Sequence, residues 1–451
     1  NTTGSQLTAV GRGALGANTT ASNNTAIGYN AASTSTTADN ITAVGSGALQ
    51  NNSTGTDTTA VGRNTLNANT TGDANCAFGR SALNDNTTGS ANCAFGKNAL
   101  EAQTTGTGNV AVGHYALTAN NADYNVAIGS EALYDNTTGS TNVAVGFKTL
   151  YDNTTGTRNI SIGDRGLYAN TTADYNLAIG YASLFKSNTS YNIAIGADAL
   201  HNHVGDVGIA IGYQALLSNT TGNYNLAIGY KAGRLNSTAG QNTFIGYRAG
   251  ETSNASDVTY IGFDSGLHAT GHSNTAVGHR TMDATSCTGT ANTAIGRECL
   301  GSLTSGENNT TLGYFAGHDV TTANRNVMVG REAGALTTTG GSNIYIGAYA
   351  GDNYTTASGN TMIGDSCATN SGTSGGNNIC IGNSAGTDAV FSFGTHADRI
   401  VIGNNSNTNA YIKIDWTVTS DKRDKIEDGT VPHGLDFVNQ LIPRSFWFRK
   451  D

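Results

Sequence analysis

The chain has 451 residues, a net charge of −9, only 12% charged residues, 60 glycines and two prolines. That length allows two or three ordinary domains. An acidic balance with no basic patch in the first 400 residues excludes a nucleic-acid partner, and no apolar run approaches the roughly 18 residues of a membrane span.

Low charge with abundant Gly, Asn and Thr would suit a disordered chain, but apolar residues recur here at a fixed period. A glycine returns at 11, 28, 45, 62, 79, 96, 113 and onward to 382 and 403, in steps of 16 to 18 residues until a last step of 21. Around it the unit reads N-x-A-I/V-G-x-x-A-L, then a polar stretch, often N-T-T-G. A unit of about 17 residues cannot bury a core alone, so the period predicts stacked coils, each covering its neighbours. The sequence opens inside a unit, at Asn1, with no signal peptide visible, so an upstream segment is expected.

Within each unit the residues one and three before the glycine are apolar or β-branched, as in Val143 and Val145 or Ile193 and Ile195, with a small residue such as Ala144 or Ala194 between them. This period of two predicts a short strand. The glycine permits a sharp turn or close backbone approach, and N-T-T-G closes the coil. Asn stands four before the glycine in 18 of 24 units, for example Asn142, Asn159 and Asn176. Stacking predicts a side-chain ladder in which each amide bonds those above and below; a plain turn residue is the alternative. The predicted fold is all-β: stacked parallel β-roll or solenoid coils in an elongated fibre.

Two segments follow from the second apolar pair. Over 1–230 it is mostly Ala-Leu; over 231–405 it is often Ala-Gly, as in Ala249-Gly250 and Ala350-Gly351. Losing the leucine is expected to narrow or reshape the cross-section. The six cysteines form no C-x-x-C pair and read as small apolar residues. The many N-x-T triplets read as turns rather than glycosylation sites.

The A-I-G-x-x-A unit resembles the head repeats of trimeric autotransporter adhesins and the A-I-G-rich arrays of phage tail fibres, over about residues 7 to 403. The resemblance implies three chains side by side, and the small Ala of each strand is expected to allow close chain-to-chain packing. In such a homotrimer, three copies of the single His-x-His, His201 and His203, would surround one metal ion; imidazole suits iron, nickel and zinc. Two loop histidines are the plainer reading. Tyr134, Tyr151, Tyr168 and Phe185 stand five after the glycine on consecutive coils and are expected to stack about 4.8 Å apart. They would bind sugar rings or serve as packing. No cofactor is expected.

Composition shifts after about residue 405: a connector covers 406–419, and both tryptophans and both prolines lie beyond the repeat. The opening S-D-x-R-x-K at Ser420–Lys425, then Gly434-Leu435-Asp436-Phe437, Leu441-Ile442-Pro443 and Phe446-Trp447-Phe448, resembles the start of the endosialidase-type intramolecular chaperone of phage tail spikes and fibres. Residues 420–451 would be its beginning. The resemblance implies chaperone-assisted trimerisation followed by self-cleavage at Ser420–Asp421, with Ser420 as nucleophile and Lys425 as its base. A serine needs such a base, and a lysine serves only if burial or nearby cations lower its pKa. Without the resemblance the segment reads as a solvated polar turn.

The function expected is a structural and receptor-binding fibre of a bacteriophage tail, extracellular, meeting a host-surface glycan or protein and other tail components. Two alternatives remain. A bacterial trimeric surface adhesin would need a C-terminal membrane anchor. A polysaccharide-degrading tail spike would need an inserted catalytic domain, for which the unbroken repeat leaves no room.

Overall fold

The computed structural model describes residues 1–369, 375–387 and 393–408. The chain divides into two units, Asn1–Ser406 and Asn407–Asp451, and nearly all described residues belong to the first. Ser420, Asp421 and Lys425 lie outside the described residues.

The first unit is an all-β parallel solenoid of about 23 turns, with no helix among the described residues. Its 24 strands run from Thr8–Val10 to Ile400–Ile402, and each ends on the residue before a unit glycine. Each strand pairs in parallel with its neighbours in sequence and without slippage: Val143 opposite Ile160, Ile160 opposite Leu177, Leu177 opposite Ile193. Pairing continues through residue 230, where Leu226 faces Thr243.

The glycine column explains the period. Gly146 has φ +140°, and a Cβ on it would stand 2.3 Å from the carbonyl oxygen of Gly163 in the next coil. Only a residue without a side chain lets successive coils approach this closely at that backbone angle.

Which side of the strand faces inward is a correction to the sequence reading. Ala127, Ala144, Ala178 and Ala194 are fully buried inside their own coil, opposite the buried leucines Leu133, Leu150, Leu184 and Leu200. The alanines therefore form no chain-to-chain face. The Val and Ile residues beside them point outward, and Ile128, Ile160 and Ile162 are about 40% exposed. The coil is narrow: one strand residue and one turn residue meet across it, so a small Ala must face a large Leu.

In the second segment the two partners are exchanged. Where the leucine becomes glycine, the inward strand residue of that or the next coil grows. Phe244 lies between Gly233 and Gly250, Tyr260 fills the space at Gly266, and Met328 and Tyr345 fill it at Gly334. A Cβ on Gly233 would stand 2.6 Å from the Phe244 ring.

The corner asparagines bond to backbone throughout and, over part of the stack, to one another as the sequence predicts: Asn92 Nδ2 donates to Asn75 Oδ1 at 3.2 Å, Asn309 to Asn292 at 3.0 Å and Asn326 to Asn309 at 3.0 Å. Asn159 Oδ1 accepts the N–H of Asn176 at 2.9 Å, its Nδ2 donates to the Ala173 carbonyl at 2.8 Å, and its own N–H donates to Asn142 Oδ1 at 2.9 Å. Each such asparagine thus satisfies two buried backbone groups, which would cost about 1–3 kcal/mol apiece if left unpaired. A second amide-to-amide ladder, with shorter bonds, stands seven after the glycine. There Asn136 Nδ2 donates to Asn120 Oδ1 at 2.7 Å, Asn153 to Asn136 at 2.6 Å and Asn170 to Asn153 at 2.7 Å.

Candidate functional site

The ring column five after the glycine forms a ladder. Tyr134 and Tyr151 stack at 5.1 Å, Tyr151 and Tyr168 at 5.2 Å, Tyr168 and Phe185 at 5.2 Å, with interplanar angles of 3°, 2° and 16°. His201 extends it at 5.1 Å from Phe185, and Tyr115 meets Tyr134 edge-on at 6.0 Å. The ring faces are turned to each other, so the interior rings offer edges and hydroxyls to the outside. Burial, and then the charges of Asp135 and Glu131, pushes the Tyr151 phenol up. A sugar stacking on an aromatic needs an open face, and here only the ends of the ladder have one. Beside the rings Lys148 Nζ lies 5.2 Å from the Tyr151 ring centre, and Lys148, Arg165, Tyr168 and Phe185 line a shallow groove of about 310 Å³.

A second ladder, not anticipated from the sequence, follows the glycine directly. Tyr213, Tyr230, Tyr247, Phe263 and His279 stack at 5.4, 5.1, 5.0 and 5.2 Å. Its signal was present as G-Y, G-Y, G-Y, G-F and G-H in successive units. Lys231 and Arg248 place their charges 5.1 and 5.2 Å from the centres of Tyr230 and Tyr247, a separation at which each cation is attracted to the ring.

The two histidines of the His-x-His are separated by the coil wall. His201 is an outer ladder ring. His203 is fully buried in the inner amide column, where its Nδ1 lies 2.7 Å from Asn219 Oδ1 and acts as the donor. The fold does not bring the two imidazoles to one point, and no group of three or more His, Cys, Asp or Glu side chains positioned for a metal occurs among the described residues.

His203 replaces the asparagine of its column, and the residue below it, Ser187, is too short to continue the ladder. His203 Nε2 and Asn170 Oδ1 are left without a hydrogen-bond partner. Burial pushes the His203 pKa down, against the Asn219 hydrogen bond and the charge of Asp206. The folded state therefore holds the neutral ring while the unfolded chain protonates near its ordinary value of about 6.5. Stability from this group is present above that value and is lost as pH falls through it. The melting temperature of His203→Asn should accordingly fall less than that of the wild type between roughly pH 7.5 and pH 5. Parallel curves for the two proteins would contradict this assignment.

The six cysteines are free thiols. Cys287, Cys299, Cys367 and Cys380 are buried, whereas Cys76 and Cys93 occupy outward strand positions directly opposite one another. Comparison of the chain with protein-family models finds no match, and comparison with curated proteins finds none either.

Proposed function

We propose that residues 1–406 are the shaft of an elongated homotrimeric bacteriophage tail fibre that presents itself to a host surface. Residues 420–451 would begin the intramolecular chaperone that assembles the fibre and then cuts itself away at Ser420–Asp421. The observation that supports the shaft most strongly is the unbroken in-register pairing from Thr8 to Ile402, one strand per coil. A stack of this kind has no natural compact end state: each coil completes its neighbour, and adding coils adds length. The hydroxyl edges and flanking cations of the ladders, not their ring faces, repeat at the coil spacing, which suits a long polar receptor such as a surface polysaccharide better than a single small ligand.

The test uses the full-length protein. It should assemble as a trimer and yield a mature chain ending at Ser420 with a free fragment beginning at Asp421. Ser420→Ala and Lys425→Ala should trimerise yet stay uncut, because the nucleophile or its base is gone. Denaturing gels with terminal sequencing, together with light scattering for mass, read both steps. Efficient cleavage in Ser420→Ala removes the dyad, and a stable folded monomer removes the trimer.

A further inference from the structure

The outer face of the sheet is the largest feature of the first unit that its own fold leaves unused. In strand after strand the middle residue is buried and the residues one and three before the glycine lie on the outer side. All those immediately before the glycine are Val, Ile, Leu or Phe; those three before it are Thr, Cys, Val, Ile or Leu. None is charged. Of the residues immediately before the glycine, thirteen are exposed, among them Ile128 40%, Ile162 41%, Leu312 47%, Ile346 38% and Ile381 40%, and the other eleven are half-buried. Charge appears at the two margins: in the residue after the glycine, as with Arg12, Arg63, Arg80 and Lys97, and five before it, as with Asp57, Arg158, Asp257 and Arg325.

We infer that this uncharged outer strand face is where copies of the chain meet, running side by side with their coils level. The inference rests on the homotrimer reading and names the surface that builds it. The face is about 110 Å long at roughly 4.8 Å per strand and about 10 Å wide at roughly 3.3 Å per residue. It therefore offers on the order of 1,100 Å² per copy, against about 800 Å² per partner in a stable interface of ordinary size. Ordinary monomers leave apolar patches of only about 300–600 Å². The occupant must present an equally long, flat and uncharged face with the same spacing, and a second copy does so by construction. Parallel copies in level register set the row three before the glycine on one copy against the row one before it on the next, so uncharged side chains meet along the whole length.

The test introduces charge without touching any core. Ile128→Asp with Ile162→Asp alters two outward side chains, and Thr138→Asp alters an exposed turn as a control. Light scattering should find the wild type and control assembled, and the double variant monomeric at the same concentration with its β circular dichroism retained. A double variant that stays assembled like the wild type overturns this face while leaving the trimer standing. A monomeric wild type removes the trimer and this face with it. Should the double variant fail to fold, Cys93→Ser decides the matter. Cys76 then remains on the outer face, and a short bismaleimide should join copies into covalent pairs on a denaturing gel. Chains that stay single in an assembled protein overturn the face.

Discussion

Gly163→Ala should break the solenoid into two independently melting segments. Gly163 has φ +135°, and a Cβ there would lie 2.4 Å from the carbonyl oxygen of Gly180. The backbone angle costs about 1–3 kcal/mol for a residue with a side chain. The overlap adds about 1–3 kcal/mol more, because the obstacle is backbone and cannot swing aside. Coils are coupled only to their neighbours, so a local loss of this size uncouples the flanking stacks instead of weakening them evenly. Hydrogen exchange should quicken around Gly163 and Gly180 and stay slow many coils away, while Thr138→Ala, at an exposed turn, should change nothing. A single unshifted melting curve for Gly163→Ala would show that the close coil approach has been misread.

Phe244→Ala should cost about 3–5 kcal/mol, the usual price of emptying a buried aromatic site. Gly233→Leu alone should also destabilise, by about 1–3 kcal/mol, since its Cβ alone would stand 2.6 Å from the Phe244 ring. Together the two changes rebuild the Ala–Leu pair used by the first segment, with the new leucine beside Leu216. The double variant should therefore be more stable than the sum of the single losses by about 1–3 kcal/mol, the coupling typical of side chains in contact. Chemical denaturation of the four proteins reads the cycle. Strict additivity would mean that Phe244 and Gly233 do not share one volume.

Much of this fold is legible in the sequence because the glycine column is a backbone requirement, and backbone requirements leave a residue-type signature. The strands fall on the three residues before the glycine, as at Val143–Val145 and Ile193–Ile195, where the period of two placed them. The period could not say which of the two faces is inside, because Ala and Val are both apolar and alternation fixes faces without naming the core. The exchange of Ala and Leu for Phe and Gly escaped for a related reason. Residues 233 and 244 meet only across the coil, although the growth of one residue and the shrinkage of the other could be read side by side. The corner asparagines were visible as a column and their amide-to-amide bonds could be expected, but many of their partners are backbone groups, which every residue carries and no sequence distinguishes. His203 is hidden in the same way: it looks like half of a His-x-His until the column of Asn136, Asn153, Asn170 and Asn219 shows that it stands in place of an amide.

Every side-chain column rests on one strand per coil, stacked in register from Thr8 to Ile402. Electron microscopy of the intact protein measures that directly. Residues 1–406 should appear as a stack about 110 Å long with an axial repeat of about 4.8 Å. A particle far shorter than this, or one without that axial repeat, would contradict the solenoid and everything built on its columns.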